Sequence, residues 1–294
     1  VGKPESEKPG EILRGKTKRY KINIKFIILI NNMSLLKTND HNGGFFSDCS
    51  CRLYLIMTYF VVFNRLPDTI DSSNQFKRYK NNTDDITFEF FENYNNINEQ
   101  FVCIEQMPFA DEYCLQFENY KTIDYNSIVP FVKKYFFPSK NLIDRYYYLL
   151  EKYKIISEKT IAIYYRGTDK YTETPLDNFE SYYNKLNEIC IFNEDMQILI
   201  QTDSTPFLEY MEKNCIHKNI IIIKENSTSN TTNGIHYEKT NEENYIDMFN
   251  IFATFLIISK CKYILCSSGN CSIWMMFYRG SAVNVHQNLN KTWL

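Results

Sequence analysis

Four apolar runs of strand length, rich in β-branched residues, recur in the second half of the chain: IAIYY at 161–165, QILIQ at 197–201, NIIII at 219–223 and YILC at 263–266. AVNV at 282–285 is a weaker fifth. Between them lie segments of helical length at 177–190, 204–214, 243–260 and 271–279. Continuous apolar strands are buried on both faces, and strand and helix in alternation give a parallel sheet with right-handed crossovers. The expectation is a Rossmann-like half. Ligands of such open sheets lie outside the carboxyl ends of the strands, so the residues that follow each strand are the candidates for chemistry.

Those positions are polar and charged. Arg166-Gly167-Thr168-Asp169-Lys170 follows the first strand, Thr202-Asp203-Ser204 the second, Lys224-Glu225-Asn226 the third and Ser267-Ser268-Gly269-Asn270 the fourth. Together they suit a diphosphate. Arg166 would act as a bidentate clamp, with Ser267, Ser268 and the turn amides before helix 271–279 as neutral donors. Each piece also has an ordinary reading. Turn charges are commonly solvated, Ser-Ser-Gly-Asn is a common turn, Asp203 can cap the helix at 204, and Glu173 can be a surface carboxylate. Four polar clusters on one sheet edge favour a site. No Gly-Lys-Ser/Thr phosphate loop, no Gly-x-Gly-x-x-Gly after these strands and no Gly-x-Ser-x-Gly elbow occurs, which moves phosphoryl transfer, NAD chemistry and serine hydrolysis down.

The 294 residues are 44% hydrophobic and 23% charged, enough for one or two domains with a full core. A net charge of −2 leaves no basic excess for a nucleic-acid polymer. The apolar runs LYLIM and YFVVF around Thr58, and IFATFLII at 251–258, fall short of the roughly 20 residues a membrane span needs and read as buried helices. No signal-peptide pattern opens the chain, so its nine Cys are read as thiols and its location as cytoplasmic. Neither these Cys nor the four His show the spacing of a metal site.

Residues 1–22 are polar and without apolar period, and are expected to be a disordered leader; IKFIILI at 24–30 reads as a first strand. A natural start at Met33, with 1–32 an upstream extension, stays open. Gly43 and Gly44 then form a turn into an apolar helix reaching Phe63, capped at Ser47 or Asp48. This turn is read either as an ordinary helix start or as a ligand-facing loop. The Asn-rich, acidic and aromatic stretch 81–100 reads as a surface excursion or edge strand, and the helical LIDRYYYLLEKYK, inside 128–154 with Pro130 and Pro138, as a bridge between two halves. The resulting division is 1–32, an N-terminal half 33–154 and a C-terminal half 155–294.

Tyr165-Arg166-Gly167-Thr168-Asp169-Lys170, with Glu173 beyond, resembles the His-x-Arg-Arg-Thr-Asp-Lys motif of α1,6-fucosyltransferases of the core-fucosylating and NodZ type, within the group that includes protein O-fucosyltransferases. Gln201-Thr202-Asp203-Ser204 is similar to that family's Ala-Thr-Asp-Asp, Gly234-Ile235-His236 to its Gly-Leu-His, and Cys266-Ser267-Ser268-Gly269-Asn270-Cys271 to its Ser-Ser-x-x-Cys turn; Asp247 falls where the preceding helix carries an Asp. These matches span 161–280. In the N-terminal half only the turn Gly43-Gly44-Phe45-Phe46 resembles the family, as its acceptor-side loop. Tyr164 stands at the family's His and Gly167 at its second Arg, and Glu173 lies one residue closer to the Lys than in the core-fucosylating enzymes. Short Asn-rich chains with such motifs also resemble glycosyltransferases of giant viruses, of the chlorovirus and mimivirus kind, among which xylose transfer is represented.

The resemblance implies an α/β, GT-B-like architecture, two Rossmann-like lobes with parallel sheets facing a cleft, with the C-terminal lobe holding a nucleotide sugar. Arg166 would contact the β-phosphate, Lys170 would support the leaving diphosphate, and Ser267, Ser268, Gly269 and Asn270 would lie at the diphosphate. Asp203, His236 and Asp247 would complete the donor site, Asp247 near the base, with Glu173 or Asp169 as the base toward the acceptor. The implied activity is inverting and needs no metal or other cofactor. GDP-fucose is the first expectation as donor, with a glycan or glycoprotein as acceptor. The alternatives are a xylosyltransferase or other hexosyltransferase using a UDP-sugar, and a non-catalytic nucleotide- or glycan-binding module.

Overall fold

A computed structural model describes residues 27–30, 33–102, 104–111, 114–191, 193 and 195–294. Residues 1–26, with the expected leader and the start of the expected first strand, lie outside the described residues. The larger sheet belongs to the C-terminal half: β4 (Thr160–Tyr165), β5 (Gln197–Thr202), β6 (Ile220–Ile222), β7 (Tyr263–Ser267), β8 (Val285–Leu289) and β9 (Thr292–Trp293), in the order β6-β5-β4-β7-β8-β9. All neighbours pair parallel except the last, β8 with β9. Period-two alternation divides β4 between two cores. Ile161, Ile163 and Tyr165 face one, and Ala162 and Tyr164 the other.

Local signals set the helices. α5 (Phe179–Cys190) starts at Asn178, whose side chain accepts from the Ser181 amide, and α6 (Thr205–Asn214) at Ser204, whose side chain accepts from the Phe207 amide. α7 (Asn241–Lys260) opens with a Thr240/Glu243 capping box. α8 (Asn270–Arg279) stops at Gly280, where φ is +77°.

The N-terminal half holds β1 (Ile27–Ile30), β2 (Met33–Lys37) and β3 (Thr69–Asp71), β1 antiparallel to β2 and β2 parallel to β3. α1 (Phe45–Phe63) connects β2 to β3. The short α2 (Thr87–Phe90) follows, then α3 (Tyr125–Tyr135) and α4 (Lys140–Lys152). α1 is long and apolar enough to cross a bilayer, but 72% of that apolar window is buried inside the protein. Phe46 packs against Phe252, Phe255 and Trp274 at 5.1, 5.4 and 6.0 Å between rings, so both halves share one continuous core. The architecture is mixed α/β around a mostly parallel sheet.

Several local expectations are corrected. The cap of α1 is Gly44 rather than Ser47 or Asp48, because the Asp48 carboxylate is spent on His41 and the Phe76 amide. The 81–100 stretch is a surface excursion only in part, with half of its residues exposed. Phe90, Phe91 and Tyr94 are core residues, with Phe90 stacked 4.6 Å from Phe249, because aromatic burial outweighs the polar residues between them. The last parallel strand is Val285–Leu289 rather than 282–285; Val285 pairs with Ile264, and Asn284 before it has φ +58°. The eight described cysteines are free thiols.

Candidate functional site

A cavity of about 330 Å³ opens where the carboxyl ends of β4 and β5 meet the Gly43-Gly44 turn. Of the residues singled out in sequence, Arg166, Asp169, Lys170, Glu173, Asp203, His236, Asp247 and Asn270 line it, and so do Gly43, Gly44, Phe45 and Phe46. Ser267, Ser268 and Gly269 do not.

The C-terminal wall is a charge network. The Arg166 guanidinium forks onto Asp169, with Nη2 at 2.8 and 3.2 Å from its two oxygens and Nε at 3.3 Å, while Nε lies 3.8 Å from Asp203. Its Nη1 reaches the Cys271 sulfur at 3.7 Å, at the start of α8. Asp203 does not cap α6. It accepts from the Gly167 amide and the Thr168 hydroxyl, both at 2.7 Å, and so pins the loop that presents Arg166. Gly167 is required by that tight path, since a Cβ there would sit 2.4 Å from the Tyr165 ring and 3.1 Å from Ser204 Cβ. Burial pushes the Asp203 carboxyl up, opposed by Arg166; burial acts likewise on Asp169, but there Arg166 prevails and the carboxyl titrates below its usual range.

Lys170 is 2% exposed, and its Nζ donates to Glu173 Oε2 at 2.5 Å and Gln116 Oε1 at 2.9 Å. Burial lowers its pKa, and Glu173 opposes the shift. The Glu173 side chain is 43% exposed at the mouth. His236 is held down to about 4, first by burial and then by Arg166, so its ring is neutral at pH 7. Asp247 on α7 is bound by Lys239 and by the Ser227 hydroxyl.

The N-terminal wall is held differently. The Phe45 amide donates to Tyr79 Oη at 2.9 Å, and His41 pairs with Asp48 beneath the glycine turn. A Cβ on Gly43 would lie 2.2 Å from the His41 ring, so the turn can lie on that ring only as glycine. Asp48, as first contributor, raises the His41 pKa to about 10.

Ser267 and Ser268 serve the fold. Ser267 Oγ accepts from the Arg166 amide at 3.1 Å; Ser268 Oγ donates to the Asn288 carbonyl and accepts from Gln287 Nε2, both at 2.9 Å. The Gly269 amide is taken by Tyr120 Oη at 3.1 Å. The part of this turn that faces the cavity is the start of α8, Asn270 and Cys271. Lys224, Glu225 and Asn226 lie away from the cavity, Glu225 bonding Lys152 and Tyr153. Sequence reasoning did not single out Gln116 or Tyr79. Gln116 and Tyr79 sit in short 3-10 turns with no periodicity to mark them, whereas Cys271 was visible as the end of the Ser-Ser-x-x-Cys match.

Neither a scan against protein-family models nor a search of curated proteins finds a match for this chain.

Proposed function

We propose that the cavity binds a nucleoside-diphosphate sugar and that the chain is an inverting, metal-independent glycosyltransferase, in the first place a fucosyltransferase acting from GDP-fucose on a glycan. On this reading the plan is GT-B-like, the 155–294 half holding the donor and the 33–154 half facing the acceptor. One observation carries it: a forked guanidinium at a strand end and an exposed carboxylate tied to a buried ammonium line the same cavity.

The chemistry follows from charge. Glu173 takes the proton of an acceptor hydroxyl as its oxygen attacks the anomeric carbon; the bond from that carbon to the phosphate oxygen breaks, and its electron pair leaves with the β-phosphate. Arg166, Lys170 and the amides opening α8 face the charge that grows there. Two cationic side chains fill the role that a bound cation plays in metal-dependent transfer.

A UDP-sugar such as UDP-xylose is the second reading. It is favoured by Asp247, whose carboxylate is engaged by Lys239 rather than free for a guanine edge. Thermal shift with GDP, UDP, CMP and dTDP separates the readings, because a ligand of the folded state stabilises by RT ln(1 + [L]/Kd). A GDP-selective rise supports the first reading and a UDP-selective rise the second; no rise with any of them contradicts both. Donor consumption should then survive excess EDTA, and a loss restored by Mn²⁺ would contradict the metal-independent step.

A further inference from the structure

Gln116 comes from the N-terminal half, yet it is built into the C-terminal wall of the cavity. Its 3-10 turn, Cys114–Phe117, leads into a segment tied to the larger sheet. The Tyr120 amide donates to Gln287 Oε1 and Gln287 Nε2 to the Glu118 carbonyl, both at 2.9 Å, while Tyr120 Oη accepts from the Gly269 amide at 3.1 Å. Gln116 is 5% exposed, and it lines the cavity. Chemistry fixes its orientation. The Lys170 ammonium only donates, so Oε1 faces it at 2.9 Å and Nε2 takes the other side of the amide. Nε2 makes no hydrogen bond to a described residue, and the atom is open to the cavity rather than sealed in the core. The ammonium beside it has three N–H bonds, of which Glu173 and Gln116 accept two, leaving one for a ligand. A neutral donor and a charged donor are thus presented side by side.

We propose, resting on the glycosyltransferase reading, that Gln116 reads the transferred sugar: Lys170 takes the phosphate oxygen bonded to the anomeric carbon, and Gln116 Nε2 donates to a sugar oxygen next to that carbon. Charge divides the two roles. The phosphate gains most from the cation, whereas a hydroxyl or ring oxygen is neutral and is matched by a neutral amide donor. Gln116 therefore answers to the sugar and not to the nucleotide.

Isothermal titration of the full chain with GDP, GDP-fucose, UDP and UDP-xylose tests this, read as the ratio of nucleotide-sugar affinity to the affinity for the matching diphosphate. Gln116→Met keeps the length of the side chain and removes its N–H; Gln116→Glu also removes the N–H but keeps an acceptor for Lys170. Both should lower the ratio about fivefold for the donor that binds, the loss of one neutral hydrogen bond. The ratio cancels any change in phosphate binding from the new charge or from a loosened Lys170, and retained diphosphate binding shows that a variant folds. A parental ratio in either variant overturns the proposal; in Gln116→Glu alone, it would leave Gln116 only the task of holding Lys170. A parent that binds a diphosphate but neither nucleotide sugar overturns it too. A parent that binds none of the four defeats the donor reading on which the proposal rests.

Discussion

The two walls of the cavity each hold a histidine, and the two are driven in opposite directions. His41, under the glycine turn, is raised to about 10, with Asp48 the leading cause; His236, behind Arg166, is lowered to about 4, with burial the leading cause. One wall thus keeps a charged imidazole to hold backbone in place. The other keeps a neutral imidazole so that its positive charge stays on Arg166 and Lys170. On the proposed function, the C-terminal wall offers its cations to an incoming negative charge, whereas the N-terminal wall spends its ion pair on its own loop.

The sharpest way to break this contrast is at Arg166. Arg166→Ala should weaken nucleotide binding at least tenfold, abolish transfer and also lower the Tm, since Asp169 and Asp203 lose their common cation. Arg166→Lys should recover the melting temperature better than the binding, because an ammonium cannot reproduce the fork. Calorimetric titration beside thermal denaturation reads both. Parental affinity in Arg166→Ala would remove the clamp. Next is Glu173→Gln, which keeps shape but not basicity: transfer should fall by about 10² to 10⁴ while nucleotide affinity holds. Near-parental turnover in a donor-consumption assay would pass the role to Asp169.

On the other wall the expected effect is on stability. Asp48→Ala strips the partner of a half-buried charge and of the Phe76 amide, and should cost about 1–3 kcal/mol in urea unfolding. The histidines give this a pH signature. Between 6.5 and about 10 the folded state holds the His41 proton that the unfolded chain has released, so the His41 contribution to stability is full below 6.5 and is lost as pH rises through this window. Between about 4 and 6.5 the unfolded chain binds a proton that His236 refuses, so stability falls as pH drops. His41→Gln should flatten the alkaline limb and His236→Gln the acidic one. Variants that leave both limbs unchanged would erase the contrast. The smallest effect is at the serine turn, where Ser268→Ala should cost about 0.5–1.5 kcal/mol of stability and leave nucleotide affinity as it was. Weakened binding would instead put the hydroxyl at the ligand.

How much of this was legible in sequence follows the same division. The parallel sheet was readable because β4 to β7 are apolar runs separated by capped helices, and Arg166, Asp169 and Asp203 were readable because such sheets concentrate polar residues beyond their strand ends. Burial of the Ser267 and Ser268 hydroxyls was not, since it depends on β8 pairing beside β7 to bring up Gln287 and Asn288. Of the N-terminal wall only the turn Gly43-Gly44-Phe45-Phe46 was legible. Tyr79 and Gln116 act from single-turn elements, the His41–Asp48 pair depends on a helix beginning at Phe45, and Phe90 and Phe91 are buried by partners on α7, far away in the chain. Periodicity reports local faces, and these contacts are set by the distant chain that covers them.

On the proposed function, Arg166 and its neighbours recognise the diphosphate of a nucleotide sugar. Isothermal titration of GDP and UDP against guanosine and uridine, at one salt concentration, tests it most directly. One diphosphate should bind at least tenfold more tightly than its nucleoside, and that margin should vanish in Arg166→Ala. Equal affinity for nucleoside and diphosphate, or a margin that survives the loss of Arg166, would contradict it.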